Sequence, residues 1–308
     1  MSWSLRILVA LLTTLLIILL VAATVDFSIV VTSLQSVDLS LAFLGFFAFL
    51  MGHFFRFFRY AQIWQWPFNA RFIAVSGGHG AASYMLPMRL GELLLPYLAR
   101  RLGDRGFFSV LGGLLWIRLF DVAVVLLLAC SVATVGIFFP GLGVFLGGLP
   151  LAENLYFASG SGFTLAVIVL LVASLVFASW LIATRFETLK GARDRLWFVV
   201  FSLFIWSSVL LMNYLLAKSL GASLGFPSLV LLLLASTFAY AIPVQGLAGL
   251  GAHQLAWFLT LREAGIAKDL SLAISLSSHV VVVLWVLGLA VIAALLAFSA
   301  KNNAQIAS

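Results

Sequence analysis

Two pairs of opposite charges lie in strongly apolar stretches of this chain. Arg89 and Glu92 are three residues apart, and so are Arg118 and Asp121. Residues with this spacing lie on one face of a helix, so each pair could neutralise itself. Arg118 and Asp121 could instead pair with the first two residues. A third option is that an arginine binds a phosphate group, which its planar fork of donors fits well, while a carboxylate orients the arginine.

The surroundings of the two pairs leave their depth in a membrane open. Arg89 and Glu92 could be interfacial residues at the start of a helix. However, the leucine-rich sequence that follows them favours a helix facing a cavity, because a charge in lipid is costly. Val122 to Phe139 is nearly long enough to span a bilayer alone, so Arg118 and Asp121 could lie at its boundary. In either case this pair is expected to anchor the segment that carries Glu92.

The first pair belongs to a segment, at about 72–101, that is predicted to be broken. The residues from Ser76 to Gly80 remove side-chain bulk and predict a bend or a close backbone approach. Pro87 then predicts a second break, because proline lacks an N–H and its ring clashes with a preceding helical turn. A new helix is expected from about Met88.

A second broken segment is predicted at about 226–262. Pro243 is expected to end one half-helix, and a loop rich in glycine, including Gly249 and Gly251, precedes a new helix from Ala252. The start of a half-helix has free N–H groups and a partial positive charge that suit an anionic headgroup. Small residues also let membrane helices pack closely, which is the alternative. The residues expected to donate hydrogen bonds into a cavity here are His253 and Gln254, with His279 facing them.

The composition indicates the class of protein that contains these segments. Hydrophobic residues make up 64% of the 308 residues and charged residues 9%, and the mean hydropathy is +1.21. Such a chain has too little polar surface for a soluble globule and is predicted to be an integral membrane protein. The apolar runs long enough to cross a bilayer are Leu5–Val25, Leu39–Phe58, Phe107–Phe139, Phe163–Thr184, Leu196–Ala217 and Leu270–Ala300.

Basic residues predict how these runs are oriented. If the six runs cross and the two broken segments return to the side they entered from, 13 of the 17 Lys and Arg residues share one side and three lie on the other. The 13 are Arg6, Arg56, Arg59, Arg71, Arg89, Arg100, Arg101, Arg105, Arg185, Lys190, Arg193, Arg195 and Lys301. The positive-inside rule makes that side cytoplasmic, together with both termini. The predicted fold is therefore a single all-α membrane domain, residues 1–308, with about six transmembrane helices and two oppositely oriented re-entrant helical hairpins.

This orientation brings the two broken segments into the membrane from opposite faces. Inverted-repeat transporters build substrate sites in this way, although no strong sequence repeat relates the two halves.

The remaining ionisable residues exclude some functions. The four histidines lack metal-ligand spacing, so neither a metal nor another cofactor is expected. His53, Arg56 and Arg59 lie among phenylalanines and predict a basic aromatic belt at the cytoplasmic interface. The net charge of +7 follows from the cytoplasmic bias and does not indicate nucleic acid.

Three stretches resemble one protein family. They are SYMLPMRLGELLLPYLARR at 83–101, WIRLFD at 116–121 and PVQGLAGLGAHQ at 243–254. Together they are similar to the lysylphosphatidylglycerol synthase transmembrane, or flippase-like, family. The resemblance implies a protein of the inner membrane that moves lipids between leaflets. Lipids linked to the family are aminoacylated phosphatidylglycerol, polyprenyl-linked sugars and hopanoids. The chain is expected to be a stand-alone member without the soluble synthase domain.

The expected function is thus transport of an anionic or phosphate-bearing lipid, without catalysis. The expected substrate-binding residues are Pro87, Arg89, Glu92, Arg118, Asp121, Gly249, Gly251, His253, Gln254 and His279. The partners are membrane lipids, with a homo-oligomer or a lipid-synthesis enzyme as further candidates. The alternatives are a membrane transferase or hydrolase, with Glu92 or His253 as the base, and an accessory scaffold subunit. No nucleophile and base at recognisable spacing supports an enzyme.

Overall fold

A computed structural model describes residues 27–103, 105–138, 186–189, 191–241 and 247–306, together with Leu15. Within these ranges the chain is helical and contains no strand, which confirms the predicted all-helical class. The helices are α1 (Phe27–Gln35), α2 (Leu39–Trp64), α3 (Ala70–Met85), α4 (Leu94–Leu98), α5 (Phe107–Phe138), α6 (Ala192–Ser219), α7 (Phe226–Ala241), α8 (Ala252–Glu263) and α9 (Lys268–Ile306).

Four helices in the described ranges are long and apolar enough to cross a membrane. They are α2, the part of α5 from Phe107 to Cys130, α6, and the part of α9 from Lys268 to Ala300. They correspond to four of the six predicted runs. The other two runs, Leu5–Val25 and Phe163–Thr184, lie outside the described residues.

Local sequence sets where α2 begins and ends. The Asp38 side chain accepts hydrogen bonds from the backbone N–H groups of Ser40 and Leu41, at 2.9 and 3.1 Å, and so caps the start of the helix. The helix ends after Trp64, where Gln65 takes up a left-handed backbone conformation. The helix is therefore longer than the predicted run, which ended at Phe58.

The first broken segment has a break at Pro87 but none at its glycines. The helix α3 runs without interruption through Gly77 and Gly80, and of the two predicted alternatives, a bend or a close approach, the structure shows the close approach. A Cβ on Gly77 would lie 3.2 Å from the Cβ of Ala293 in α9, and one on Gly80 would lie 3.0 Å from the His53 ring. Both glycines let neighbouring helices pack closely against α3.

The chain beyond this break is not the continuous helix expected from Met88. A 3-10 helix spans Pro87–Leu93, α4 follows as a short α-helix, and a second 3-10 turn spans Ala99–Arg101. The 3-10 helix Pro87–Leu93 packs back against α3. A Cβ on Gly91 would overlap the backbone of Ala82 and Ser83, so this packing requires glycine at position 91.

The second broken segment also consists of two short helices that pack on each other, α7 and α8. Between them, Leu247–Gly249 forms a 3-10 turn, and Ala248, Gly249 and Gly251 all have positive φ angles. The helix α8 starts at Ala252 as predicted, whereas Pro243 lies outside the described residues.

The two halves of the described chain repeat one order of elements. A long helix, a short helix, a break, a second short helix and a long helix occur first as α2 to α5 and again as α6 to α9. The contacts repeat as well, because α3 packs on α9 while its counterpart α7 packs on α5.

Aligning α3 with α7, which are both 16 residues long, reveals a local sequence repeat. SYMLP at 83–87 matches AYAIP at 239–243, with both the tyrosines and the prolines 156 positions apart. The repeat is too short to be recognised in the sequence without the structure.

The equivalent helices α2 and α6 pack together and run antiparallel. Going along α2, Phe55 stacks on Phe204 and Phe58 on Phe201, with ring centroids 4.7 and 5.6 Å apart. As the residue number rises along α2, the residue number of the stacked partner on α6 falls. An inverted relation between the two halves requires this direction.

The two breaks meet inside the helical assembly. The turn Leu247–Gly249 contacts both α3 and the 3-10 helix Pro87–Leu93. The fold therefore brings together the two segments that the sequence identified as broken.

Candidate functional site

A cavity of about 320 Å³ lies between the long helices and the two broken segments. Its lining combines residues from every helix from α2 to α9 except α4. The charged residues in the lining are Arg56, Glu92, Arg118 and Asp121. Histidines from three helices also line it: His53, His79 and His253.

Glu92 and Arg118 form an ion pair at the cavity. Arg118 Nη2 donates a hydrogen bond to Glu92 Oε1 at 2.5 Å, and both side chains retain some exposure, 35% for Arg118 and 19% for Glu92. Glu92 is positioned from the 3-10 helix, whose tight contact with α3 depends on Gly91. The sequence left open whether Arg118 pairs with Asp121 or with the first cluster, and the structure selects the first cluster.

His79 links α3 to the same carboxylate. Its Nδ1 donates to the Gly91 carbonyl at 3.1 Å, which places a proton on Nδ1. Its Nε2 lies 3.7 Å from Glu92 Oε2, so a protonated His79 would add a second cation beside Glu92. The Glu92 carboxylate thus lies between an arginine on α5 and a histidine on α3.

Asp121 pairs with Arg59, a residue predicted from the sequence to lie in the basic aromatic belt. Arg59 donates to both Asp121 oxygens, at 2.6 and 2.9 Å, and to Ser202 Oγ at 3.1 Å. The Arg59 side chain is fully buried, and its guanidinium carbon lies 5.5 Å from the centre of the Phe198 ring. Asp121 therefore joins α5 to α2 and α6 and does not pair with Arg118.

The predicted aromatic belt is wrong for its basic residues. Arg59 is buried, and His53 and Arg56 line the cavity instead of an interface. His53 Nδ1 donates to the Phe49 carbonyl at 3.0 Å. One sequence signal could have found this face: His53, Arg56 and Tyr60 have the spacing of a single helix face, and all three line the cavity.

Arg118 and Asp121 lie inside α5, which runs from Phe107 to Phe138. The pair is therefore not in the first turn of this helix. Its position at a membrane boundary stays a prediction.

The predicted residues of the second broken segment separate into two groups. His253 lines the cavity, and its Nε2 donates to Ser278 Oγ at 2.9 Å, since that hydroxyl already gives its own proton to the Ser275 carbonyl. His279 faces His253 as expected, with ring centroids 5.2 Å apart, but it is not in the cavity lining.

The other predicted residues of this segment shape its backbone. Gln254 Oε1 accepts a hydrogen bond from the Gly251 N–H at 2.7 Å and so closes the start of α8. Gly249 and Gly251 form the turn, and neither they nor Gln254 line the cavity. The side chains of Pro87 and Arg89 lie outside the described part of the structure.

Several polar atoms at the cavity have no hydrogen-bond partner among the described residues. They are Arg56 Nε, Ser76 Oγ, Arg118 Nε and Trp206 Nε1. Because buried polar groups are normally hydrogen-bonded, these atoms favour a polar occupant of the cavity.

The chain matches no family model, no curated protein and no solved structure.

Proposed function

We propose that this protein is a lipid transporter of the flippase or scramblase type. Its substrate would be an anionic or phosphate-bearing lipid, such as an aminoacylated phospholipid, a polyprenyl-phosphate-linked lipid or a hopanoid-type lipid. One observation carries the proposal: a cavity with charged walls lies among helices that are long and apolar enough to cross a membrane.

The cost of these charges supports a cavity that handles a polar group. An ionised side chain at the bilayer centre costs about 2.5 to 3.5 kcal/mol on insertion scales. Arg118 and Asp121 lie in the middle of α5, where no nearby helix end offers an escape to water. A site for the headgroup of a lipid, with its tails left in the bilayer, gives these charges a function.

The proposed membrane arrangement has about six transmembrane helices and two re-entrant hairpins that enter from opposite faces. The antiparallel packing of α2 and α6 and the repeated order of elements support this inverted arrangement. The contact between the two breaks supports a site near the midplane. Cytoplasmic termini and an inner-membrane location are proposed on the charge distribution, which without the interior residues Arg56 and Arg59 is still 11 against 3, and on the resemblance to the flippase-like family.

Lipid exchange in vesicles tests the proposal. Purified protein is reconstituted into vesicles with fluorescent phosphatidylglycerol or phosphatidylethanolamine, with and without a pH gradient. Dithionite then bleaches label in the outer leaflet. We expect the protein to expose inner-leaflet phosphatidylglycerol at least tenfold faster than protein-free vesicles do.

Matched variants locate the transport path. Glu92→Gln removes the carboxylate that holds Arg118 and is expected to slow exchange at least tenfold. Arg71→Gln changes an exposed arginine outside the cavity and is expected to leave exchange unchanged. If neither lipid moves faster with the protein under either condition, transport is wrong. Formation of a new lipid product by the purified protein would instead support the enzyme alternative.

A further inference from the structure

Arg56 differs from the other two arginines at the centre of the protein. Arg59 is neutralised by Asp121 and Arg118 by Glu92. Arg56 lines the cavity, and within the described ranges no carboxylate forms an ion pair with it. Its Nε is buried and lacks a hydrogen-bond partner among the described atoms.

The position of Arg56 favours an anion as the missing partner. Arg56 and Arg118 line one cavity, where the charge of Arg118 repels that of Arg56 and the charge of Asp121, itself paired with Arg59, attracts it. An oxyanion beside the two arginines would reduce the repulsion between their charges. It would also accept hydrogen bonds from Arg56 Nε and Arg118 Nε, which lack a partner among the described residues. A phosphate group fits best, because a guanidinium presents paired N–H donors to two of its oxygens.

The internal repeat allows the cavity walls formed by α2 and α6 to be compared position by position. With the two halves aligned 156 positions apart, Met212 is the counterpart of Arg56 and Val209 is the counterpart of His53. All four residues line the cavity. At these two positions α2 therefore supplies an arginine and a histidine, while α6 supplies the apolar side chains of Met212 and Val209 and, next to them, the polar Asn213.

The net charge of the described side chains at the cavity indicates which kind of phosphate group fits there. Among the described side chains at the cavity, the two ion pairs are neutral and Arg56 contributes one unbalanced positive charge. A phosphodiester carries one negative charge, whereas a diphosphate carries at least two. A single-charged phosphodiester is thus the group that balances the charges of the described side chains at the cavity.

We propose that Arg56 binds the phosphodiester of a lipid headgroup, with Arg118 beside it, while the uncharged side chains Val209, Met212 and Asn213 contact the uncharged remainder. This inference rests on the proposed function, since it identifies the headgroup that the transporter recognises. It also names a substrate-binding residue that sequence reasoning had placed at an interface.

Lipid binding to the full-length protein in detergent tests this inference apart from transport. Native mass spectrometry would compare dioleoyl phosphatidylglycerol, dioleoyl phosphatidylcholine and a polyprenyl diphosphate. We expect Arg56→Gln to weaken phosphatidylglycerol binding at least tenfold. Arg56→Lys keeps the charge without the fork and is expected to weaken it about threefold, and Arg71→Gln is expected to have no effect.

A measurement on the unchanged protein covers the case in which the Arg56 variants do not fold. Soluble glycerophosphoglycerol should raise the melting temperature of the wild-type protein, and glycerol should not. Unchanged phosphatidylglycerol binding in folded Arg56→Gln would overturn the role of Arg56. Tighter binding of the diphosphate than of phosphatidylglycerol would overturn the assignment to a phosphodiester.

Different results would contradict the proposal of lipid transport and the proposal that Arg56 binds a phosphodiester. Binding that depends on Arg56 without any lipid exchange in vesicles would contradict transport and leave the anion site standing. Exchange that depends on Glu92 but not on Arg56 would contradict this inference alone.

Discussion

Arg59 and Asp121 are joined through both oxygens of the carboxylate, at 2.6 and 2.9 Å, inside a bundle of apolar helices. The arginine side chain is fully buried and the aspartate side chain is 6% exposed. Ser202 accepts a further hydrogen bond from Arg59, so the pair connects α2, α5 and α6. Since the Arg59–Asp121 pair is buried and joined through both carboxylate oxygens, it serves to hold the cavity walls together, and Glu92, Arg118 and Arg56 are left to contact a ligand.

Removing one charge of this pair should therefore destabilise the protein. Asp121→Asn leaves the Arg59 charge buried without its counter-ion, which typically costs about 3 to 5 kcal/mol. We expect a clear drop in the melting temperature of the detergent-solubilised protein, measured by intrinsic tryptophan fluorescence.

The double variant Arg59→Met with Asp121→Leu is the control for this prediction. Replacing a buried ion pair by apolar residues is often neutral, so most of the stability should return. A single variant that melts like the wild type would show that the pair is not a structural link.

Gly91 should be intolerant of any side chain. The backbone of Ala82 and Ser83 occupies the place of its Cβ, and backbone cannot move aside as a flexible side chain can. Overpacking of this kind costs about 1 to 3 kcal/mol or more, and here it would also displace Glu92. Gly91→Ala is expected to lower the melting temperature and to slow lipid exchange in vesicles.

Gly78→Ala is the matched control in the preceding helix. A Cβ at Gly78 has no neighbour within 4 Å, and alanine is favoured over glycine in a helix interior by about 1 kcal/mol. Its melting temperature should stay the same or rise. Equal losses in the two variants would contradict the close packing assigned to Gly91.

The antiparallel contact of α2 and α6 can be tested by a disulfide. A Cβ at Gly52 would lie 3.5 Å from the Cβ of Ser208, within the range of about 3.5 to 4.5 Å found in disulfides. In a Cys130→Ser background, Gly52→Cys with Ser208→Cys is expected to form an intramolecular crosslink on mild oxidation. Peptide mass spectrometry would detect it.

Gly52→Cys with Leu211→Cys should not crosslink, because Leu211 lies about 4.5 Å further along α6 than Ser208 and its side chain is 50% exposed. Crosslinking of this pair in preference to the Ser208 pair would contradict the observed register of the two helices.

The sequence alone was sufficient to predict the helical class, four of the long helices and the two breaks. Each rests on a local cause: the length of an apolar run, a proline that cannot continue a helix, or a cluster of glycines. The start of α8 at Ala252 was predicted in the same way. The glycines from Gly77 to Gly80 left open a bend or a close approach, and the structure shows an unbroken α3 with close contacts there to α9 and α2.

Which charges meet was decided only by the tertiary structure. Arg118 and Asp121 are three residues apart on one helix, yet each pairs with a residue from another segment, Glu92 and Arg59 respectively. Sequence spacing shows which side chains share a helix face but not which helix lies opposite, and burial makes the contact across helices stronger than one along the surface. For the same reason the sequence identified charged residues in an apolar chain, whereas only the packing of α2 against α6 and its ion pair with α5 placed Arg56 at the cavity, where no carboxylate of the described residues pairs with it.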